Sequence, residues 1–388
     1  MTKEKIFFDN ASTTRIDPEV LEEMDPYLKE QYGNPSSLHD FGDNAKKAVD
    51  KARKQAADLV GANEEEIYFT SCGTESNNLA LWGLTKAHKD RGNHIISSSI
   101  EHVSILNPLK ELKKEGWKVS LVPVDKYGVV KPEDVKKEIT KDTVLISIMH
   151  ANNEVGTIQK IKDISDIARG VNILFHSDGI AAAGIIPAAV GKLGVDSYSF
   201  SSQQMYGPKG AAALYLKKGT RIKPLFLGGI QEKGRRAGTE NVPAVAGFGK
   251  ACEIARKEID KNIKHMSKLQ HNLIKGINEK IKNVKLNGHP ADRTPGNVHI
   301  SFEFIEGESI LLMLNIEGIA AASGSSCTSQ ALKSSHVLLA MGLTPTMAQG
   351  SILFSLGKYN TQKEVDRVLE VLPPIIDRLR KMSPLYKE

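Results

Sequence analysis

The sequence predicts an α/β fold: a large domain on a mostly parallel sheet with helices on both faces, then a smaller α+β domain. Two observations predict it. From about residue 19 to 250, short β-branched runs alternate with amphipathic helical stretches, the pattern of strands joined by crossover helices. After about residue 251 the alternation stops and a long charged helical stretch takes over. Residues 15–250 are therefore assigned to the large domain, and residues 1–14 with 251–388 to the small one.

The elements follow in order. Residues 55–60 belong to an amphipathic helix and 66–70 to a strand. Helices at 75–84, 105–114, 132–139 and 161–168 alternate with strands at 94–98, 118–124, 143–148 and 172–177. A strand-like run at 197–200 leads into a small-polar turn, 201–210, and then an apolar run, 211–216. In the second part a helix spans 252–282, with strands at 297–302 and 352–356 and helices at 307–314, 334–340 and 363–381. In the last helix Val365, Val368, Leu369 and Leu372 recur at helical spacing. In parallel sheets of this kind, residues that handle ligands sit on loops beyond the carboxyl ends of the strands.

The chain has 388 residues, 40% hydrophobic and 25% charged, enough for a sizeable core. Its 52 basic and 46 acidic side chains leave a net charge of +6 with no dense basic block, which argues against nucleic-acid binding. No apolar run approaches the ~20 residues that span a bilayer. The first residues lack the apolar segment and cleavage site of a signal peptide, so the cytoplasm is the expected compartment. The three cysteines, Cys72, Cys252 and Cys327, are too few and scattered for a disulfide framework, and form no CxxC metal motif.

Several loops carry chemistry-bearing residues. Thr70-Ser71-Cys72-Gly73-Thr74-Glu75-Ser76-Asn77-Asn78 is a turn of mostly small residues that opens a helix directly after a strand. Free amide groups and the helix dipole make such a turn a phosphate seat, with the Ser71 and Thr74 hydroxyls added; a plainly capped helix start looks the same. His102, Asn153 and Asp178 each follow a strand end. A lone histidine is commonly structural. A carboxylate at residue 178 either caps a helix or pairs with a pyridinium nitrogen. Cys327 lies in the small-residue loop Ala322-Ser323-Gly324-Ser325-Ser326-Cys327-Thr328.

Taken together with Phe8-Asp9-Asn10-Ala11-Ser12-Thr13-Thr14, Gly33-Asn34-Pro35-Ser36-Ser37, Arg235-Arg236-Ala237-Gly238-Thr239-Glu240-Asn241 and Phe354-Ser355-Leu356-Gly357, these words resemble the cysteine desulfurases of the NifS/IscS type over nearly the whole chain. That family belongs to the class V aminotransferase superfamily. The resemblance implies the pyridoxal-phosphate-dependent transferase fold type I. It implies that Gly73, Thr74 and Ser201, with Thr239 of the partner subunit, hold the cofactor phosphate in a homodimer. It also implies that His102 stacks on the ring, Asn153 sits near the ring hydroxyl, Asp178 faces the ring nitrogen, and Cys327 takes sulfur as a persulfide.

The chain departs from the family at four positions in one place. Where the family reads roughly Ser-x-His-Lys-x-Tyr-Gly-Pro-Lys-Gly, this chain has Gln203 and Gln204 at the His and Lys positions. An amide has no basic lone pair at neutral pH, so it neither condenses with an aldehyde nor shuttles a proton. The family's glutamine three residues after the aspartate is Ala181, and its carboxylate-binding arginine is Leu353. Losing a bidentate arginine contact costs about 2–5 kcal/mol of binding.

The expectation is a desulfurase-like protein of iron–sulfur assembly without covalently bound pyridoxal phosphate. It would bind an IscU-type scaffold protein, with Cys327 as sulfur relay or as a metal ligand to a shared [2Fe-2S] cluster. The rivals are an active cysteine desulfurase using an unusual base, with Lys209 serving the cofactor although the family has its own lysine at that position, and a non-catalytic structural or regulatory partner subunit.

Overall fold

The computed structural model describes residues 5–323 and 334–386. Cys327 lies outside the described residues. A seven-stranded sheet organises the larger body. In spatial order its strands are Ile67–Thr70, Ala212–Leu216, Ser197–Ser201, Leu174–Asp178, Thr143–Ser147, His94–Ser98 and Lys118–Val122. Ala212–Leu216 runs antiparallel to both neighbours, and every other pairing is parallel. Most strand residues are buried on both faces, which is why the sequence shows continuous apolar runs instead of alternation.

Residue chemistry explains where elements begin and end. Asp17 caps the helix Pro18–Lys29, accepting from the Glu19 amide at 3.0 Å. The helix Asp40–Val60 ends at Gly61 in the left-handed conformation (φ 63°), the usual helix stop for a residue without Cβ. The strand expected from residue 172 starts at Leu174, because Asn172 turns with φ 56° and Asn tolerates that region. The strand expected from residue 66 starts at Ile67, since Glu66 closes a capping box back onto Asn63.

The charged helix begins ten residues earlier than expected and runs Val242–Lys280. Asn241 caps it and Pro243 sits in its first turn. Its first half is apolar and small, so composition reads there as a buried segment and not as part of a charged helix. Val245, Phe248 and Cys252 enter the core beside the large sheet. Leu269, Leu273 and Ile277 enter a second core with Phe8, Ile300, Phe354 and Leu372. This helix is continuous across residue 250 and belongs to both cores.

The second body holds a three-stranded antiparallel sheet, with Asn297–Phe302 between Ser351–Ser355 and Val284–Leu286. The amino-terminal strand Ile6–Phe7 pairs in parallel with Ile319–Ala320. Among the described residues no helix is long and apolar enough to cross a membrane.

Phe248 is fully buried, with its ring 6.1 Å from Phe69 and 5.6 Å from Phe200. It joins the long helix to the sheet. Phe248→Ala is expected to cost about 3–5 kcal/mol through lost burial and the cavity left behind, measured as a lower urea midpoint.

Candidate active site

A cavity of about 370 Å³ opens at the carboxyl ends of the parallel strands, where this class of sheet places its ligands. Asp178 and Ser201 are the last residues of their strands. Gly73, Thr74, His102, Asn153, Asp178, Ser201, Gln203 and Gln204 all line the cavity. The structure therefore brings eight separately predicted residues to one place. Thr239 is exposed and does not line it within the single chain. Lys209 is also exposed and outside the lining. Ala181 and Leu353 do line it.

The wall at residues 71–75 starts the helix Gly73–Ala87. Cys72 at the N-cap makes no side-chain capping bond, so first-turn amides stay available to an anion. A Cβ at Gly73 would meet Ile180 Cδ1 at 2.2 Å. Glycine lets this helix start press against the loop after Asp178.

Asp178 is buried and well tied. Its Oδ1 accepts from the Ile180 amide at 3.0 Å, and its Oδ2 accepts from Asn77 Nδ2 at 2.7 Å. Asn77 Nδ2 also donates to Ser104 Oγ at 2.9 Å. The Ser104 amide donates to His102 Nδ1 at 3.1 Å, with Ser104 Oγ 2.8 Å from the same nitrogen. Nδ1 is an acceptor there, which puts the ring hydrogen on Nε2. Burial raises the Asp178 pKa, only partly offset by the Ile180 amide, His102 and Asn77. No lysine or arginine pairs with it among the described residues. A buried carboxylate without a cationic partner suits a protonated ring nitrogen.

The turn with Gln203 and Gln204 is held from the amino-terminal segment. Thr14 Oγ1 donates to the Gln203 carbonyl at 2.7 Å and accepts from the Tyr206 amide at 3.0 Å. The Thr14 amide donates to the same carbonyl at 3.1 Å. Tyr206 has φ 62°, and its hydroxyl accepts from the Lys358 amide at 2.6 Å. A Cβ at Gly207 would lie 2.0 Å from Ser202 Oγ, so only glycine fits. Among the described lining residues there is no lysine and no arginine. Gln204 Oε1 is buried without a hydrogen-bond partner.

Sequence reasoning missed Asn77, which sits inside a quoted motif but gains its role only from a contact 101 residues away. It also missed Thr14, Tyr206 and Glu154, all in the lining. Buried Glu154 bonds to Ser335 Oγ, and nothing in its local sequence signals that. No group of three or more His, Cys, Asp or Glu suited to a metal ion occurs among the described residues.

The fold and the site define a class V aminotransferase: the chain matches Aminotransferase class-V over residues 6–368. The cysteine desulfurase IscS of Methanosarcina thermophila is 51% identical over 380 residues, 98% of this chain and 94% of that protein. Cysteine desulfurase IscS 1 of Archaeoglobus fulgidus is 49% identical over 381 residues, 98% of this chain and 99% of that protein. A solved NifS-like protein superposes with a TM-score of 0.91 at 41% identity, covering 97% of this chain and all of that one. The chain belongs to the cysteine desulfurase family of class V aminotransferases.

Burial also sets a pH dependence. Glu101 and Glu154 have pKa values pushed up to about 8 by desolvation. His150 is pushed down to about 4, and His176 and His299 to about 3, by the same cause. Between about pH 4 and 6.5 the histidines take up protons only on unfolding, so their contribution to stability rises with pH in that range. Above it they are neutral in both states. The two glutamic acids keep their protons in the folded chain up to about pH 8 but lose them from about 4.5 once unfolded, so stability then falls, on the order of 2 kcal/mol per group. Calorimetry should give a higher Tm at pH 6.5 than at pH 8, and Glu154→Gln should remove about half of that fall.

Proposed function

We propose that this protein is a cysteine desulfurase-like member of an iron–sulfur assembly system that does not hold pyridoxal phosphate covalently and does not desulfurise cysteine by itself. One observation carries the reading: the residue at the family's lysine position is Gln204, and no lysine is among the described residues that line the cavity.

The described residues fit the cofactor's ring and phosphate. Gly73, Thr74 and Ser201 would supply amides and hydroxyls for the phosphate, joined by Thr239 of a second copy. His102 would cover the ring, Asn153 would sit by its hydroxyl, and Asp178 would face its nitrogen. They do not fit covalent attachment, and no step is derived through it. When bound, the cofactor supplies an electron sink for chemistry at an amino acid's α carbon. Gln203 and Gln204 bring no base for moving a proton there, and Leu353 brings no cation for the amino acid's carboxylate.

The reading includes a homodimer, in which a neighbour covers exposed apolar side chains such as Leu227 and Ile230. It also includes an IscU-type scaffold as partner, with Cys327 as sulfur relay or thiolate ligand to a [2Fe-2S] cluster formed in the complex. The second reading is an active cysteine desulfurase, favoured by the names of the relatives.

Recombinant protein mixed with pyridoxal phosphate and cysteine is expected to release no sulfide above a buffer blank. Borohydride reduction followed by mass spectrometry should find no cofactor adduct at the site, whereas Gln204→Lys should give one. Sustained turnover by the natural chain would establish the second reading instead. Anaerobic co-expression with the scaffold tests the cluster role: Cys327→Ser should still bind the scaffold but lose the visible absorbance of the cluster.

A further inference from the structure

We infer that Arg236 is a positioning residue of the phosphate seat, acting through Glu75, whose negative charge it cancels in the first turn of the helix Gly73–Ala87. The inference rests on the reading of that turn as the place where the cofactor phosphate is held.

Glu75 is the acidic residue of that first turn, next to Thr74, and its side chain is only 7% exposed. Its Oε2 accepts from the Ser71 amide at 2.8 Å and bonds to Ser71 Oγ. Its Oε1 accepts from Arg236 Nε at 2.9 Å. Burial pushes the Glu75 pKa up, but the bonds from Arg236 and Ser71 outweigh it and hold the carboxyl below its ordinary range. The group is therefore an ionised carboxylate at the positive end of a helix. An unmatched carboxylate there favours the bare helix but repels a second anion seeking the same end. The guanidinium removes that conflict and leaves the free first-turn amides attractive to phosphate.

The segment that delivers Arg236 is held firmly. Glu232 and Lys233 adopt φ of 47° and 57°, a region that non-glycine residues enter only when surroundings impose it. Arg53 imposes it through two bonds to the Glu232 carboxylate, 2.8 and 2.7 Å, and the Phe69 amide adds a third at 2.9 Å. Arg235 lies over the Tyr68 ring, 4.5 Å from its centroid. Of the other carboxylates near Arg236, Glu232 and Glu240, the first is matched by Arg53. Arg236 therefore faces Glu75 as its own ion-pair partner.

Equilibrium dialysis of the full chain with pyridoxamine phosphate, and with pyridoxamine as the reference probe, tests this. Neither probe carries an aldehyde, so surface lysines do not react. Arg236→Gln should weaken the phosphorylated probe about tenfold and leave the unphosphorylated one unchanged. Glu75→Gln keeps the acceptor for Ser71 but removes the charge, so alone it should bind the phosphorylated probe as tightly as the natural chain or several-fold tighter. The double variant Glu75→Gln/Arg236→Gln should recover to within about threefold of the natural chain. A double variant as weak as Arg236→Gln, or weakening by Glu75→Gln alone, would overturn the inference; the latter arm decides even if Arg236→Gln misfolds. If the natural chain binds neither probe, the reading of the pocket falls and this inference with it.

Discussion

The candidate site depends on how Thr14 holds the turn after Ser201. One hydroxyl donates to the Gln203 carbonyl and accepts from the Tyr206 amide, closing the turn across nearly 190 residues of chain. Asp17 extends the clamp: its amide donates to the Tyr206 carbonyl at 2.9 Å, and its carboxylate takes Lys358 Nζ and Tyr359 OH, each at 2.6 Å. Burial would raise the Asp17 pKa, but these bonds bring it below its ordinary value. The clamp ties the start of the chain, the large sheet and the strand end beyond Ser355 into one wall. Side chains at positions 203 and 204 are thus presented by backbone contacts that do not depend on their identity. An amide in place of an amine changes the chemistry of the wall and leaves its shape intact.

The same separation holds on the opposite wall. Asn77, Ser104 and His102 are linked by hydrogen bonds to Asp178, and every member is buried or nearly so. The Asn77 amide nitrogen is doubly used, while its Oδ1 is buried without a partner, a group that costs about 1–3 kcal/mol until something bonds to it. The network fixes the position of the Asp178 carboxyl whatever residue stands across the cavity. In the proposed reading the features for holding a phosphorylated pyridine and those for reacting on it would reside in different elements, so that one set could be lost without the other.

Much of this was legible in the sequence. The alternation of strands and helices predicted the parallel sheet, because crossover connections force that spacing. The eight lining residues carry over from the family resemblance, and the strand-end positions of several of them agree with it, since strand ends of a parallel sheet converge. Partner choices were not legible. Asn77 lies in the helix after the first sheet strand, and only the sheet order places Asp178 beside it. The direction of Ala212–Leu216 was not legible either, since a buried apolar run reads alike in either direction. The long helix was shortened in the reading because its first turns are small and apolar, and such residues are equally at home in a core loop. Other helix boundaries slipped by one to three residues where caps, and not periodicity, decide them.

Charge balance gives the last step. The described cavity wall contains Asp178 and Glu154 and neither lysine nor arginine. Burial raises the pKa of both carboxyls, Glu154 to about 8; Asp178 alone is tied by the Ile180 amide and Asn77, and it is the one that the proposed reading sets against a ring nitrogen. In the proposed reading a doubly charged phosphate would meet only dipoles among the described lining residues: helix amides, the Thr74 and Ser201 hydroxyls, and about half a unit of positive charge at the helix end. A covalent bond would make that modest attraction sufficient for retention. Without one, retention rests on how well each neighbouring carboxylate is neutralised, so ion pairs just outside the cavity gain an influence they would lack in a chain with an amine at position 204.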